Sequence, residues 1–362
     1  MNSTSHHKTS FWSFLFYCLL FFTGAAILLE GLARLPFIQN FIPYRSVDNF
    51  DYQFEIKWFR LQDYVKQNGG VDILFVGSSL VNTGIDPQVV GKAYAAQTGV
   101  QPRMFNFGVE GMTISPNSAI AHILVELYHP ALIVYITDMP DYIAGNGLDY
   151  ENRLLADPWF HYMNGQNDPF GWLLDHSAGL QHYLPFRNWM HADFLDTVSL
   201  YIKRYYDTTA SGYEADSLIG SGIDIPPNPS NPEDAQYFQD FGNYQIAPSR
   251  LDNLKNLITY SRSQGTTVLV VEMPVHPTFY DFIGGLAVHK QFQQTLSSLV
   301  TDNGGTFLPA EACLNLIPLN GRSNRWHLNY IGAPIFSQCL GDQLAAFARQ
   351  QNTTFVKPVD SK

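Results

Sequence analysis

ILFVGSSLVNTGIDP, residues 73–87, is the stretch that decides the fold. Its apolar run ends at Gly77 without polar alternation, which predicts a strand buried on both faces, as in a parallel α/β sheet. Asp86 and Pro87 predict a helix start, as the N-cap and the first helical residue. Functional groups of such sheets collect at the carboxyl ends of the strands. We therefore expect Ser79, just past this strand, to be displayed as a nucleophile.

The rest of the chain repeats this alternation of strand and helix. Amphipathic segments lie between the apolar runs, and the connections are short, which predicts a three-layer, doubly wound parallel sheet. Residues 70–140 and 248–350 are assigned to this α/β domain. The predicted strands are 72–76, 103–107, 132–136, 267–271 and 306–308.

The N-terminal segment 11–29 carries no charged residue and is long enough to span a bilayer as one helix. A cleaved signal peptide usually ends its apolar part at a small-x-small site, but here the apolar run continues beyond Ala26 to Leu29. We therefore predict an uncleaved, single-pass transmembrane anchor at 11–29 with a cytoplasmic tail at 1–10. The globular part is then extracytoplasmic, in the periplasm or at the cell surface.

Three further segments fall outside the predicted α/β domain. Residues 30–69 are predicted to form a stalk and a leading helix, and residues 351–362 a polar tail. Residues 141–247 interrupt the alternation and are rich in aromatic side chains. We predict a helical insertion that covers the active-site edge, since it leaves the carboxyl end of the third strand. Its aromatic residues suit sugar rings, although packing within the insertion's own core explains most of them.

Composition excludes some functions and leaves one question open. The formal net charge is −11 and no basic cluster is present, which argues against a nucleic-acid partner. No Cys-x-x-Cys or His-x-x-x-His pattern indicates a metal, and no cofactor is predicted. Cys313 and Cys339 either form a disulfide or remain buried thiols.

A second motif, NRWHLNYIGA at 324–333, places His327 in a loop ahead of the last helix. By itself, the sequence Gly77-Ser78-Ser79 is typical of an ordinary turn. Serine becomes nucleophilic when a base is near, and the unperturbed pKa of histidine suits that task. The presence of His327 therefore favours the interpretation of Ser79 as a nucleophile.

These stretches together resemble the SGNH (GDSL-type) hydrolase family. Gly77-Ser78-Ser79-Leu80 is similar to its first block, with Ser79 in the nucleophile's place, and the Gly-Ser-Ser form resembles membrane-anchored members that act on cell-envelope polymers. Asn106 to Gly111 is similar to the second block, and Asn324-x-x-His327 to the last. The resemblance covers roughly 70–140 and 250–348. It implies a flavodoxin-like SGNH fold, with Ser79 and His327 catalytic.

The resemblance also implies an oxyanion site, formed by the backbone N–H groups of Ser79 and Gly111. The family's third block supplies an asparagine donor after the third strand, and this chain has none there. Asn82, in the same loop as Ser79, is a possible substitute donor, or else an ordinary turn residue.

The residue that orients the histidine also departs from the family pattern. Asn324 stands where the family has an aspartate, and an asparagine can hold an imidazole in place without giving it a charge. Asp138, Asp141 and Glu272 lie at predicted strand ends and are the alternative orienting residues. We predict Asn324 first and these carboxylates as its substitutes.

The predicted function is that of a membrane-anchored extracytoplasmic serine esterase or O-acyltransferase. Its expected partners are an acylated carbohydrate or other ester substrate, from an envelope polymer or exopolysaccharide, and the membrane through the N-terminal helix. The alternative is a catalytically weak SGNH-like module that binds glycan or protein partners in envelope assembly.

Overall fold

A parallel β-sheet carries the candidate site. The computed structural model describes residues 11–41, 43–187 and 194–357, and within them five parallel strands lie in the order β2-β1-β3-β4-β5. The first three strands are buried along their whole length, which explains their apolar runs without alternation. The predicted parallel α/β sheet is confirmed. The strands are β1 (Ile73–Gly77), β2 (Met104–Gly108), β3 (Leu132–Thr137), β4 (Thr267–Glu272) and β5 (Thr306–Leu308).

Helices precede, connect and follow these strands. Those before and between the first three strands are α1 (Phe11–Ala33), α2 (Pro36–Phe41), α3 (Tyr52–Asn68), α4 (Ser79–Gly84), α5 (Pro87–Thr98) and α6 (Ile114–Tyr128). Those after β3 are α7 (Leu148–Leu155), α8 (Pro158–Met163), α9 (Pro169–His176), α10 (Ala178–Tyr183), α11 (Phe194–Asp207), α12 (Pro232–Phe241), α13 (Pro248–Ser263), α14 (Gly285–Asp302), α15 (Glu311–Leu314) and α16 (Gly332–Gln350). Short 3-10 helices cover Met139–Tyr142, Leu184–Phe186, Pro277–Ile283 and Leu319–Gly321.

The order of the strands places helices on both faces of the sheet. The chain passes from β1 through α5 to β2, and from β2 through α6 to β3 on the other side of β1. Right-handed connections put these two helices on opposite faces. In agreement, α5 packs against α16, whereas α6 packs against α13, which also contacts α14. Helix α3 packs on β2 and buries Phe54 and Trp58 in the core.

Several element boundaries differ from the predicted ones. Ser79, expected in a loop, is the first residue of α4. The N-terminal helix α1 runs on to Ala33, four residues beyond the predicted span, because the prediction stopped at the last uncharged residue and the single glycine that follows, Gly31, does not end the helix. Asp86 caps α5 as predicted, since its carboxylate accepts the Gln88 N–H at 2.9 Å.

Helix α1 is joined to the insertion by hydrogen bonds at its C-terminal end. The Glu30 carboxylate accepts bonds from the Ser177 hydroxyl at 2.8 Å and from the N–H groups of Ala178 and Gly179, both at 3.0 Å. Arg34 donates to the His176 carbonyl at 2.8 Å. Upstream of Glu30, α1 is apolar and long enough to cross a membrane. The predicted tail at 1–10 lies outside the described residues.

Cys313 and Cys339 form a disulfide, so the question that the sequence left open is answered in favour of the bond. It joins α15 to α16, the helices on either side of the loop that carries His327. The loop is therefore held covalently at both of its ends.

Candidate active site

Ser79 lies at the amino end of α4, directly after β1. The strand ends at Gly77, and Ser78 is the N-cap of α4, its hydroxyl accepting the Leu80 N–H at 3.4 Å. The serine's own N–H, at the first helical position, has no helical acceptor. This geometry presents both the hydroxyl and the N–H of Ser79 at the carboxyl edge of the sheet.

Asn106, buried in β2, holds α4 in this place. Its side-chain amide donates to the carbonyls of Val81 at 2.6 Å and Ile85 at 2.7 Å, while its oxygen accepts the Gly108 N–H at 2.9 Å. Gly108 has no side chain, and an added Cβ would collide with the backbone of Asn82. Helix α4 therefore lies directly against β2, which fixes the position of the serine.

The structure brings Ser79 and His327 together. Ser79 Oγ lies 2.8 Å from His327 Nε2. On the far side of the ring, Asn324 Oδ1 lies 3.2 Å from Nδ1. The same oxygen accepts the N–H groups of Trp326 at 2.8 Å and His327 at 2.7 Å. Since those two donors require an oxygen opposite them, Nδ1 carries the ring proton and Nε2 is free to accept one from Ser79.

The protonation state of His327 suits a base. Burial lowers its pKa below the ordinary 6.5, and the charges of Asp216 and Glu110 oppose that shift. The imidazole is therefore neutral near pH 7 and can take up the serine proton.

Two backbone N–H groups just past the ends of β1 and β2, those of Ser79 and Gly111, are the predicted oxyanion donors. Gly111 follows β2 with φ +79°, a conformation that favours glycine. Among the described residues, neither the Ser79 N–H nor the Gly111 N–H donates a hydrogen bond. In-register pairing of Gly77 with Gly108 places the ends of β1 and β2 side by side. The two N–H groups thus leave the sheet at the same edge.

Ser79 and His327 line an open cleft of about 380 Å³ together with Thr83, Glu110 and Asp216. A second cavity of about 480 Å³ shares the last three residues, so the two are continuous. It adds the following residues from the insertion: Lys203, Asp207, Glu214, Ala215 and Ser217. A larger cavity of about 760 Å³, near Arg45 and Tyr205, contains neither serine nor histidine. Size alone therefore does not identify the candidate site.

The structure does not support Asn82 as an oxyanion donor. The side chain is fully buried, and its amide NH₂ donates to Glu214 at 3.1 Å. The amide N–H is thus bound to the carboxylate of Glu214, and Asn82 does not line the cleft that contains Ser79. Asn82 instead joins α4 to the insertion, because its carbonyl also accepts the Glu214 N–H at 3.2 Å.

The three alternative orienting carboxylates have other partners. Asp138 accepts a hydrogen bond from the indole N–H of Trp326, and burial raises its pKa well above the usual value. Asp141 binds the hydroxyls of Thr137 at 2.8 Å and Tyr135 at 3.1 Å. Asn324 is thus the predicted orienting residue that contacts the His327 ring.

Glu272 lies with another histidine. Its carboxylate is 2.5 Å from His289 Nε2 and also accepts bonds from Gln293 at 2.6 Å and the Ala310 N–H at 3.2 Å. Both Glu272 and His289 are buried. This pair connects β4 to α14 within the core, which removes Glu272 from the site.

Sequence reasoning missed the charged residues of the cleft. Glu110 lies beside Gly111 in the stretch Asn106 to Gly111, so the motif itself indicated that Glu110 is near the site. Asp216 follows no motif and no periodic segment. Lys57, also missed, is buried and donates to the carbonyls of Gly212 and, at 3.3 Å, Asn106. Burial lowers its pKa to about 7.

Among the described residues, no group of three or more His, Cys, Asp or Glu side chains is arranged to hold a metal ion.

Comparisons with known proteins give no close relative. No family description and no curated protein matches the sequence. A catalytic mutant of Axe2, an acetylxylan esterase from Geobacillus stearothermophilus, is similar over 80% of this chain and 97% of its own, with 13% identity and a TM-score of 0.38. A gut microbial diltiazem-metabolizing enzyme is similar over 76% of this chain and 47% of its own, with 13% identity and a TM-score of 0.34. Likenesses of this size establish neither activity nor substrate.

Proposed function

We propose that this chain is a membrane-anchored serine esterase or O-acyltransferase of the SGNH (GDSL-type) kind, acting outside the cytoplasm on an acylated polysaccharide. The observation that carries the proposal is the 2.8 Å contact between Ser79 Oγ and His327 Nε2, with Asn324 on the other ring nitrogen. A hydroxyl, an imidazole and an orienting group in this arrangement are the parts of a serine acyl-transfer site.

The reaction proceeds in two balanced halves. Ser79 Oγ attacks the ester carbonyl carbon while its proton passes to His327 Nε2, and the N–H groups of Ser79 and Gly111 stabilise the oxyanion. Collapse of the intermediate breaks the ester C–O bond, and the leaving alcohol takes the proton from His327. Water or a sugar hydroxyl then attacks the acyl-serine by the same route, which gives hydrolysis or transfer respectively.

The cleft supports a polar substrate. Beyond Ser79 it is lined mainly by charged and hydroxyl side chains, among them Thr83, Lys203, Asp207 and Ser217. Such groups hydrogen-bond the hydroxyls of a sugar and give little apolar surface for a long acyl chain. The cleft is also open to solvent, as access by a polymer requires.

The location of the protein is supported by two features. Helix α1 can cross a bilayer, and Cys313 and Cys339 are bonded. Structural disulfides persist in oxidising compartments and are rare in the cytosol. Both fit a single-pass protein of the cell membrane whose globular part lies outside the cytoplasm.

A fluorophosphonate probe and an ester substrate test the proposal on the full-length chain in detergent. We expect the probe to label the wild type and Ser78→Ala, but not Ser79→Ala. Turnover of p-nitrophenyl acetate and of acetylated oligosaccharides should disappear in both Ser79→Ala and His327→Ala. The control His276→Ala, whose ring binds Thr278, should retain turnover. Labelling that persists in Ser79→Ala would contradict the proposal.

The second candidate function is a catalytically weak glycan-binding module. Asn324 favours it, because an amide gives no charge to stabilise the imidazolium. Under this alternative, acetylated oligosaccharides bind equally well to the wild type and to Ser79→Ala, and neither protein turns them over. Measuring binding and turnover on the same two proteins separates the candidates.

A further inference from the structure

Among the described residues, no carboxylate contacts the ring of His327. Asn324 occupies the Nδ1 side, and Asp138, Asp141 and Glu272 bind other groups. When Ser79 gives up its proton, His327 becomes a half-buried cation, and a partly desolvated charge is costly unless an opposite charge lies near. The inference that follows concerns the source of that opposite charge, and it rests on the proposed acyl transfer.

Asp216, from the insertion, is a carboxylate of the cleft that has no cationic partner. It lines the cleft with Ser79 and His327, and no Lys or Arg in the described ranges forms an ion pair with it. The other cleft carboxylate, Glu110, is bound by Arg204 at 2.5 Å. Arg204 also lies 3.3 Å from Glu214, and Lys203 is paired with Asp207 at 2.8 Å.

The segment that carries Asp216 is joined to the loop that carries His327 by three hydrogen bonds. Tyr330 N–H donates to the Asp216 carbonyl at 2.7 Å, and Gly220 N–H donates to the Arg322 carbonyl at 2.8 Å. The amide of Asn329 donates to the Leu218 carbonyl at 2.9 Å. These bonds flank His327 on both sides along the chain. Asp216 is therefore held at a constant place relative to the imidazole.

Other charged groups near the loop are neutralised or face elsewhere. Arg325 is paired with Asp234 at 2.7 Å, and Arg322 donates to the Pro274 carbonyl at 2.8 Å. Asp138 reaches the loop only through the indole of Trp326, and burial raises the pKa of its carboxyl, which favours the neutral form. Among the described residues, Asp216 is therefore the carboxylate of the cleft without an ion-pair partner.

We propose that Asp216 supplies across the cleft the negative charge that Asn324 lacks, and so stabilises the imidazolium of His327. The site is thus completed by a residue of the insertion. Asp216 acts through His327 and is a positioning residue. In agreement, Asp216 and Glu110 both raise the pKa of His327 against the effect of burial, and the effect of Asp216 is the larger.

The test uses Asp216→Asn, which removes the charge but keeps the oxygen that accepts the Leu218 N–H at 2.9 Å. The pKa of His327 is measured by NMR on the full-length chain in detergent, with labelled histidine and His327→Ala for assignment. We expect the pKa of His327 to fall by about half a unit. The midpoint of the acid limb of kcat/KM should move to lower pH by the same amount. The value of kcat should fall about threefold, which is the rate equivalent of that shift.

Three controls separate the loss of the Asp216 charge from a structural change in the loop. Asp207→Asn removes a paired cleft carboxylate and should leave the pKa of His327 unchanged. The His276 resonance reports on the loop, since the His276 N–H binds the Arg325 carbonyl at 2.8 Å, and it should not move in Asp216→Asn. The conservative variant Asp216→Glu should restore the pKa of His327.

The variant Asn324→Asp tests whether the roles of Asp216 and Asn324 are coupled. In Asn324→Asp the charge is supplied at the ring itself, so adding Asp216→Asn should cost less kcat than it does in the wild type. A pKa of His327 that is the same in wild type and Asp216→Asn overturns the inference. Loss of the proposed function looks different: turnover is then independent of Ser79, while the NMR titration still reads the effect of Asp216.

Discussion

The side-chain oxygen of Asn324 accepts the backbone N–H of His327 at 2.7 Å and faces Nδ1 of the same residue at 3.2 Å. One amide therefore shapes the loop and selects the ring tautomer. An aspartate would do the same and add a charge, so the asparagine retains the orienting part of the role and loses the electrostatic part. Predictions about Asn324 separate these two parts.

Asn324→Ala removes the acceptor for Nδ1 and for two backbone N–H groups. We expect kcat to fall by about 10²-fold, the usual value of a well-placed general base, with KM nearly unchanged. Steady-state kinetics on p-nitrophenyl acetate measures both constants. The matched control is Asn320→Ala, an exposed asparagine of the same region. Equal kcat values for Asn324→Ala and wild type would exclude the orienting role.

The pH dependence of kcat/KM follows from the lowered pKa of His327. The base must be neutral, so kcat/KM is full above this pKa and falls as the pH drops through it. Because burial lowers the pKa, the midpoint of the acid limb should lie below 6.5. An acid limb centred above 6.5 would contradict this.

The same shift predicts a change in stability. The unfolded chain takes up the His327 proton at a higher pH than the folded chain does, so the free energy of unfolding decreases as the pH falls below about 6.5. Comparison of wild type and His327→Gln by urea denaturation across this range isolates the contribution. Parallel stability curves for the two proteins would show that His327 contributes nothing.

Gly111→Ala tests the oxyanion site. Gly111 has φ +79°, a conformation in which a side chain is strained, and an added Cβ would lie 3.3 Å from Tyr150, so we expect the backbone at this position to shift. We expect kcat to fall by about 10²-fold or more and the free energy of unfolding to fall by about 1 kcal/mol. Gly99→Ala is the control: its φ is +75°, and an added Cβ meets nothing within 4 Å. It should show a similar loss of stability with full turnover.

Asn106→Ala tests how α4 is held against β2. The change removes the donor to the Ile85 carbonyl and the acceptor of the Gly108 N–H, and it leaves the Val81 carbonyl with the Ile85 N–H as its remaining donor. We expect the free energy of unfolding to fall by about 2–4 kcal/mol, since a buried unpaired group costs about 1–3 kcal/mol. Urea denaturation measures it against Asn256→Ala, an exposed residue of α13. A loss below 1 kcal/mol would show that Asn106 does not hold the helix.

The sheet was predictable because its information is local. Apolar runs such as Ile73–Val76 predict strands buried on both faces, and the structure extends β1, β2, β3 and β4 by one residue at the carboxyl end. That added residue is Gly or a polar side chain, which sequence patterns do not count as strand. The helix beginning at Ser79 was missed because Gly77-Ser78-Ser79 is also typical of turns.

The partners of the site residues were less predictable, because they depend on contacts between distant segments. Asn82 and Glu214 are far apart in sequence, and nothing local indicates that one binds the other. Asp216 lies in a segment without helix or strand, so periodicity gave no sign of it. The pairing of Ser79 with His327 was foreseen from the need of a nucleophilic serine for a nearby base and from the family resemblance, and their catalytic roles stay predictions.

Glu30, the residue that directly follows the apolar part of α1, binds the insertion through three hydrogen bonds. With α1 in a bilayer, this connection acts as a rigid support and not as a flexible tether. Under the proposed function, Ser79 then stays at one height above the lipid headgroups and with one orientation, so a polymer must come to that level to be modified. The proposal therefore implies that reach, as well as chemistry, selects the substrate.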